Sequence, residues 1–275
     1  MNRGVYFLAN DNVYEQSIAF LNSFRVHNPY IPLCLIPYDN EFSRIESLSE
    51  KYNFQILNDP EAFNACDDIS LQFHEYPLGT YRKLICWQGC FDEFVYIDVD
   101  TVVLDKVDFV FQFLNVSSIF TSHSNIPSIV MWVWKNSIYG CGLLSGKQIQ
   151  YAANTGFIVS RKGTLSVGLA QSKTQDALLL KQHMELSCME QPFLNYLIVT
   201  SVIDYSSLTN MAHEIDSNEF KFEYWAGIPG GTVKDGAFTT PTKYKYFLMH
   251  WAGLWKRGFE GLPYKDLWLH YRNLP

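Results

Sequence analysis

The stretch Phe94-Val-Tyr-Ile-Asp-Val-Asp-Thr-Val-Val-Leu104 decides how the rest of this chain is interpreted. Its first four residues form a short aromatic and β-branched run, typical of a strand buried on both faces of a parallel sheet. Asp98 and Asp100 then interrupt the run, although a buried carboxylate must pair, change its pKa or bind a metal. If the chain stays extended there, both side chains lie on the same face.

Two oxygen ligands at the carboxyl end of a strand suit Mg²⁺ or Mn²⁺ that also binds a diphosphate. That edge is where ligands bind in open α/β sheets. The alternative is that Asp98 and Asp100 cap the strand or begin a turn, because Asp is a common turn residue. The Asp-x-Asp pattern alone leaves both interpretations open.

The composition is that of a globular protein with a large core. Of its 275 residues, 48% are hydrophobic and 16% aromatic. No repeat or linker is visible, so we expect one domain. The formal net charge is -7 and the pI about 5.5. Without a Lys/Arg run, this balance argues against nucleic acid as a partner, and any phosphate site must be built from a metal and a few placed cations.

The sequence contains no recognisable targeting segment. The apolar run at residues 5–8 follows Met1-Asn-Arg-Gly4 directly and predicts a first strand rather than a secretory signal. The run at residues 129–134 is far shorter than the ~20 residues that span a bilayer. The six cysteines lack zinc-like spacing and are predicted to be reduced, mostly buried thiols. We therefore expect a cytoplasmic protein without stable membrane insertion, and peripheral attachment to a membrane is left open.

Strands and helices are predicted to alternate, which is typical of a mostly parallel sheet flanked by helices. Strands are predicted over residues 5–8, 31–38, 54–57, 94–97 and 244–249, and another after Gly156. Helices are predicted from about residue 18 and over residues 41–51, 80–89, 175–184, 193–199 and 264–272. Residues 59–76 are predicted to be a loop with a short helix. The aromatic-rich residues 121–150 are irregular, and core filling is their default explanation.

Four cationic or ligand-type residues accompany the carboxylates. Lys83, with Arg82 before it, lies in the first turn of a predicted helix, where cations oppose the helix dipole. This favours a phosphate contact, although exposed cations are common. His250 follows a strand-like run and is a suitable third ligand for Mn²⁺. Beyond it, Gly253 permits close backbone approach to a phosphate and Lys256 supplies charge.

Taken in order, these motifs resemble the family 8 glycosyltransferases of the GT-A fold, the group that contains glycogenin and bacterial lipopolysaccharide galactosyl- and glucosyltransferases. The matching segments are Leu8-Ala-Asn-Asp-Asn-Val-Tyr14, Arg82-Lys-Leu-Ile-Cys-Trp87, Asp98-Val-Asp100, Asn154-Thr-Gly156, Glu190-Gln191 and His250-Trp-Ala-Gly-Leu-Trp-Lys256. Two features depart from the family pattern. Glu190 stands where the family usually has Asp, and Arg257-Gly258 stand where it usually has Pro-Trp.

The resemblance implies a single Rossmann-like GT-A domain, with a nucleotide-binding half over residues 1–110 and an acceptor-binding half over residues 111–275. It assigns Mn²⁺ or Mg²⁺ to Asp98, Asp100 and His250, and catalytic roles to Gln191 and Glu190. Donor contacts are assigned to Leu8, Ala9, Asn10, Asp11, Tyr14, Arg82, Lys83, Val99, Asn154, Gly156, Gly253 and Lys256. For Asn10 and Asp11 the alternative is helix capping.

The implied activity is transfer of a hexose from a UDP-sugar, with glucose or galactose as the sugar, to a glycan, glycolipid or other hydroxyl acceptor with retention of configuration. Acceptor specificity is predicted in residues 121–150 and 221–242, because irregular segments commonly carry binding. The alternatives are an inactive relative that binds sugar nucleotides or carbohydrate, and a sugar nucleotidyltransferase. The latter would carry a Gly-rich basic loop near the first strand, and this sequence has none. Covalent or front-face mechanism and homo-oligomerisation are left open.

Overall fold

A computed structural model of the protein describes residues 2–214 and 220–275. The strands in this part of the chain are β1 (Arg3–Ala9), β2 (Leu33–Pro37), β3 (Phe54–Ile56), β4 (Glu93–Ile97), β5 (Thr101–Val103), β6 (Ile119–Thr121), β7 (Phe157–Arg161), β8 (Tyr205–Ser207), β9 (Lys221–Trp225), β10 (Thr232–Lys234), β11 (Ala237–Thr239) and β12 (Lys245–His250). The α-helices are α1 (Tyr14–His27), α2 (Ser43–Glu46), α3 (Ser49–Tyr52), α4 (Pro60–His74), α5 (Pro127–Val130), α6 (Gly146–Tyr151), α7 (Val167–Leu178), α8 (Gln191–Thr200), α9 (Leu208–Glu214) and α10 (Lys265–Arg272). Within the same residues, no helix is both long and apolar enough to cross a membrane.

The central sheet has seven strands in the order β3-β2-β1-β4-β7-β6-β8. Its β3–β2, β2–β1, β1–β4 and β6–β8 pairs are parallel, and β7 runs antiparallel to both of its neighbours. Side chains alternate along β4: Phe94 and Tyr96 pack into one hydrophobic core, while Val95 and Ile97 pack into the core on the opposite face. The predicted α/β fold with a mostly parallel sheet is therefore confirmed.

The chain changes sheets at Asp98-Val-Asp100. Strand β4 ends at Ile97, and β5 belongs to a separate three-stranded sheet, β5-β12-β9. In that sheet β12 pairs antiparallel with β5 and parallel with β9. Val99 and Asp100, between β4 and β5, form a bend rather than extended chain. The alternation argument for Asp98 and Asp100 therefore does not apply, and the change of sheet orients the two carboxylates instead.

Strand β12 carries one irregularity, at Phe247. Tyr246 pairs with Phe222 and Leu248 pairs with Glu223, so Phe247 is an extra residue with respect to β9. Its ring lies 5.3 Å from that of Phe109 and 5.1 Å from that of Phe157, centre to centre. Such a bulge changes which side chains face each side of the sheet. It therefore determines the face on which His250 ends the strand.

One predicted element differs clearly from the structure. Residues 59–76, predicted to be mainly loop, form the fifteen-residue helix α4. Asp59 caps it by accepting a hydrogen bond from the Ala62 backbone, and Pro60 occupies its first turn. The prediction was wrong because it overlooked the spacing of Ala62, Cys66, Ile69 and Phe73, which follows one face of a helix and packs into the core.

Other predicted boundaries moved. The helix predicted over residues 41–51 is divided into α2 and α3. The helix predicted over residues 80–89 is a 3₁₀ helix, Gly79–Trp87. The helix predicted over residues 175–184 begins earlier, as α7, and is followed by a short 3₁₀ turn. The helices predicted at residues 193–199 and 264–272 are present as α8 and α10, and the strand after Gly156 is present as β7.

Candidate active site

Asp98, Asp100 and His250 form one cluster, in which a carboxylate oxygen or ring nitrogen from each lies within 4.8 Å of the others. Pairing of β12 with β5 places His250 opposite Thr101, directly after Asp100. The Nε2 atom of His250 is 3.1 Å from Asp100 Oδ1. Pairing within the three-stranded sheet thus brings together two side chains that are 150 positions apart in the sequence.

Glu223 on β9 fixes the His250 ring from the other side. Its Oε1 is 2.7 Å from His250 Nδ1, and both side chains are buried. Burial alone would lower the pKa of His250, but the charges of Asp100 and Glu223 outweigh it and raise that pKa well above its ordinary value. Burial likewise opposes ionisation of Glu223, yet His250 brings the pKa of Glu223 down to about 2.

Sequence reasoning missed Glu223, although a signal was present. It is an acidic residue inside the aromatic run Phe222-Glu-Tyr224, which is the pattern that singled out Asp98. A carboxylate on the second nitrogen of a histidine is the usual partner of a metal-binding imidazole, because it fixes the ring and raises its basicity.

The cluster fits a divalent cation by its donor set. Asp98, Asp100 and His250 offer carboxylate oxygens and one imidazole nitrogen, a combination suited to hard or borderline cations. The charge around the cluster also favours a cation, because more carboxylates than lysines lie there. The carboxylates are Asp98, Asp100, Glu190 and Glu223, and Lys83 is the lysine paired with two of them.

Lys83 is a buried cation beside this cluster, with only 5% of its side chain exposed. Its Nζ lies 3.0 Å from Asp98 Oδ1 and 2.7 Å from Glu190 Oε1. Burial would lower the pKa of Lys83, but Asp98 and then Glu190 outweigh this effect and raise it. Tyr96 also donates to Asp98 Oδ1, at 2.6 Å. A charged lysine therefore joins one candidate metal ligand to the start of α8.

Glu190 and Gln191 are held by the segment that precedes β7. The Thr155 hydroxyl donates to Glu190 Oε1 at 3.1 Å, and the Thr155 backbone N–H donates to Gln191 Oε1 at 3.2 Å. The Gln191 amide nitrogen donates to the Trp132 carbonyl at 3.0 Å. Both ends of the Gln191 amide therefore have partners, and its orientation is fixed.

Gly156 is the point at which backbone comes closest to the cluster. A Cβ atom at this position would lie 2.4 Å from His250 Cε1 and 2.8 Å from Asp98 Oδ2. Asn154 supports the turn by accepting a hydrogen bond from the Gly156 N–H at 2.7 Å. The absence of a side chain at Gly156 is therefore required by the imidazole and carboxylate themselves.

We expect Gly156→Ala to displace His250 or Asp98 and to reduce affinity for a divalent cation by roughly tenfold or more, a typical loss when ligand geometry is disturbed. Titration of the variant with Mn²⁺ by calorimetry measures this loss. Gly140→Ala is the matched control, because a Cβ at Gly140 meets nothing within 4 Å. Equal Mn²⁺ affinity in the two variants would show that the space around Gly156 is not critical.

Arg82 is directed elsewhere. Its guanidinium pairs with both oxygens of Asp67 on α4, at 3.1 and 2.7 Å, and donates to the Pro37 carbonyl at 2.9 Å. These bonds connect the 3₁₀ helix Gly79–Trp87 to α4 and β2. The structure therefore brings Lys83, but not Arg82, into contact with the acidic cluster, and a phosphate contact for Arg82 stays a prediction.

The first loop lies at the carboxyl end of β1, beside β4. Leu8 and Ala9 are buried at the end of β1. Asn10 donates to Asp39 at 2.6 Å. The Asp11 carboxylate accepts from the backbone N–H groups at the start of α2. The prediction that Asp11 caps a helix is therefore correct in kind, but the helix that Asp11 caps is α2 and not α1, which follows it in the sequence.

Four further predicted donor contacts have different surroundings. The Arg44 guanidinium lies 4.0 Å from the centre of the half-buried Tyr14 ring. Val99 is buried in the bend between the two candidate ligands. Gly253 has a φ of 70° and precedes the 3₁₀ turn Leu254–Arg257, on which Lys256 is exposed. Burial raises the pKa of Cys188 and the Lys256 charge opposes it, which places Lys256 near the segment before Glu190.

A cavity of about 490 Å³ borders the cluster at Glu223. Its lining combines aromatic side chains with a few polar ones. The lining includes His123, Ile126, Phe220, Phe222, Tyr224, Trp225, Thr240, Thr242, Tyr244 and Tyr246. Both regions in which acceptor specificity was predicted, residues 121–150 and 221–242, contribute to this lining.

The sheet and the cluster at its carboxyl edge define a class: the chain has the GT-A fold of glycosyltransferases, as the motifs predicted. Solved structures of glycosyltransferases share this fold. The bifunctional glycosyltransferase WbbM is 15% identical, with a TM-score of 0.60 over 99% of this chain and 50% of WbbM. This chain therefore spans about half the length of WbbM. The sequence of this chain matches no protein-family model and no curated protein.

Two further structures are similar over the whole chain. The galactosyltransferase LgtC, solved with donor and acceptor sugar analogues, is 14% identical, with a TM-score of 0.58 over 99% of this chain and 97% of LgtC. GlyE of Streptococcus pneumoniae TIGR4 is also 14% identical, with a TM-score of 0.53 over 100% of this chain and 61% of GlyE. At these identities the similarity establishes the fold.

Proposed function

We propose that the protein is a metal-dependent glycosyltransferase that moves a hexose from a nucleoside-diphosphate sugar to a hydroxyl acceptor with retention of configuration. The observation that carries this proposal is the cluster of Asp98, Asp100 and His250 at the carboxyl edge of a GT-A sheet, with the charged Lys83 beside it. Mn²⁺ or Mg²⁺ is the cation that these ligands suit. The fold is one shared with glycosyltransferases of solved structure.

The reaction requires that negative charge on the departing diphosphate be neutralised. A divalent cation held by Asp98, Asp100 and His250 supplies Lewis-acid chemistry when bound. The exposed Lys256 would add a further cation, and Gly253 would let the backbone approach the phosphates. The uracil of a UDP-sugar is assigned to Asn10, directly after β1, and to Tyr14, the first residue of α1.

We assign different roles to Gln191 and Glu190. The Gln191 amide is fixed by Thr155 and Trp132, so it can present a polar face to the electron-deficient sugar carbon without reorganisation. The Glu190 carboxylate is bound by Lys83 and Thr155. Its proposed role is therefore to position Lys83 beside the donor sugar, rather than to attack the sugar.

The aromatic cavity next to Glu223 is assigned to the acceptor. Rings that remain partly exposed, such as Trp225 at 39%, can pack against the apolar faces of a sugar. Thr240 and Thr242 supply hydrogen-bonding groups on the same wall. This composition, mostly apolar with a few polar groups, is typical of small-molecule sites, and it favours a glycan or glycolipid acceptor.

The proposal is tested by thermal unfolding with UDP, GDP, CMP and ADP, each with and without Mn²⁺. A ligand that binds only the folded protein stabilises it by about 2.7 kcal/mol at 100 times its Kd. We expect a rise in melting temperature with UDP that requires Mn²⁺, followed by UDP release from a UDP-hexose. A rise in melting temperature with GDP instead of UDP would show that the donor base is guanine and not uracil. Nucleotide binding without turnover of any sugar nucleotide would favour an inactive relative.

Lys256→Ala is expected to weaken UDP binding in the presence of Mn²⁺ by roughly ten- to a hundredfold, because a hydrogen bond to a charged group contributes about 1.5–3 kcal/mol. Calorimetric titration measures this change. Arg257→Ala is the matched control, since it removes an adjacent exposed cation on the same 3₁₀ turn. Equal UDP affinity in Lys256→Ala and the unmodified protein would refute the assigned contact.

A further inference from the structure

A second group of reactive side chains lies at the opposite end of β4 from Asp98. Cys90 stands in the turn between the 3₁₀ helix Gly79–Trp87 and β4, and it is exposed. Cys34 on β2 is a buried free thiol. Neither residue contributes to the candidate active site, so their chemistry requires a separate explanation.

Side chains of β1 and β3 reach the Cys90 sulfur, one on each side of Cys34 on β2. Tyr6 on β1 pairs in register with Cys34 on β2, and Cys34 pairs with Gln55 on β3. Residues paired in this way lie side by side on one face of a sheet. The Tyr6 hydroxyl lies 3.5 Å from Cys90 Sγ, and the Gln55 amide nitrogen lies 2.9 Å from it. Cys34 lies between them in the register of the sheet, and its thiol is 3.8 Å from the Leu35 carbonyl.

The directions of these hydrogen bonds favour a thiolate. The Gln55 amide nitrogen can only donate. The Phe91 backbone N–H donates to the Tyr6 oxygen at 3.1 Å, which leaves the Tyr6 hydroxyl proton to be donated to Cys90. A Cβ at Gly89 would lie 2.3 Å from that oxygen, so glycine is what permits the approach. Two donors directed at one sulfur stabilise its negative charge.

The pKa values of the two thiols shift in opposite directions. Hydrogen bonding from Cys34, and then from Tyr6, lowers the pKa of Cys90 to about 6 against the opposing effect of burial. The same bond with Cys90, together with burial, raises the pKa of Cys34. Lys162 adds positive charge nearby, where it donates to the Gly89 carbonyl at 2.7 Å. These opposite shifts favour ionisation of Cys90 before Cys34.

We propose that Cys90 and Cys34 form a redox-sensitive pair, in which Cys90 reacts with hydroperoxides and Cys34 converts the product to a disulfide. The Cys90 thiolate attacks one peroxide oxygen, the O–O bond breaks, and hydroxide or alkoxide leaves and is protonated. The Cys34 thiol then loses its proton and attacks the Cys90 sulfenic acid. The S–O bond breaks and water leaves. This inference does not rest on the proposed transferase activity.

The first test is the rate of alkylation by iodoacetamide between pH 5 and 9, followed for each cysteine by mass spectrometry. We expect half-maximal reactivity of Cys90 near pH 6. At pH 6.5 the larger thiolate fraction outweighs the lower nucleophilicity, which gives Cys90 about a sixfold advantage over an ordinary exposed thiol. Gln55→Glu replaces a donor with a carboxylate and should remove this advantage, whereas Gln171→Glu, at an exposed position on α7, should not.

The second test maps the product of one equivalent of hydrogen peroxide. We expect a disulfide between the Cys34 and Cys90 peptides. In Cys34→Ala, the Cys90 sulfenic acid should instead be trapped by a cyclic diketone. Cys188→Ser is the control, because burial raises the pKa of Cys188 and its loss should change nothing. If Cys34→Ala does not fold, disulfide mapping of the unmodified chain decides the assignment.

Either of two outcomes would overturn the proposal. If the alkylation rate of Cys90 is half-maximal near pH 8.5 and no oxidation product forms, Cys90 is an ordinary thiol and not a reactive thiolate. A disulfide from Cys90 to the buried Cys86 would instead exclude Cys34 as the resolving thiol.

Discussion

Replacing Asp100 by Asn is expected to reduce hexose transfer by about a thousandfold, with little change in the unfolding temperature, because it removes charge stabilisation from the reacting site. Asn has nearly the shape of Asp. The Asp100 side chain is 27% exposed, and its carboxylate contacts His250 rather than the apolar core. The backbone bond from the Trp251 N–H to the Asp100 carbonyl, at 3.0 Å, is retained in the variant.

The measurement is release of UDP from a UDP-hexose, together with Mn²⁺ affinity by calorimetry. Asp68→Asn is the matched control, since it removes one exposed carboxylate from α4, outside the cluster. Turnover and Mn²⁺ affinity should both fall in Asp100→Asn and be unchanged in Asp68→Asn. Unchanged turnover in Asp100→Asn would refute its role as a metal ligand.

Replacing Lys83 by Met is expected to destabilise the fold as well as abolish transfer. It leaves Glu190 buried and Asp98 partly buried without their cation, and breaking a buried pair costs about 3–5 kcal/mol. The lower end of this range applies because the Asp98 side chain is 27% exposed and water screens it. Urea unfolding at fixed pH, without added metal, measures the loss.

A double-mutant cycle separates lost attraction from an unpaired charge. Lys83→Met with Glu190→Gln removes the buried carboxylate that lacks a partner, so the double variant should be more stable than Lys83→Met alone. The Glu190→Gln single variant completes the cycle, and its amide oxygen can still accept the hydrogen bond from the Thr155 hydroxyl. If Lys83→Met unfolds at the same urea concentration as the unmodified chain, the pairing in the structure does not stabilise the protein.

The fold and the candidate metal ligands were accessible from the sequence for a local reason. An apolar run interrupted by Asp98 and Asp100 has few explanations, because burial of a carboxylate is costly. The order of the motifs then restricted the fold class. Helix α4 was also accessible, but its apolar spacing was overlooked.

The remaining features depend on contacts between distant parts of the chain. Nothing near Lys83 and Arg82 in the sequence indicates that one pairs with Asp98 and Glu190 while the other pairs with Asp67. The change of sheet after β4 follows from the pairing of β5 with β12, about 150 residues later. The partner of His250, Glu223, became evident only when β9 and β12 were paired.

The bulge at Phe247 makes the candidate site sensitive to chain length in a way that substitutions do not reveal. Because side chains alternate along a strand, removal of one residue from β12 would turn every later side chain to the opposite face. His250 would then point away from Asp100 and Glu223 even though no residue of the cluster had changed. Insertions and deletions in the loops around residues 226–231 and 240–244 should therefore leave the cluster of Asp98, Asp100 and His250 intact, whereas those between Lys245 and His250 should not.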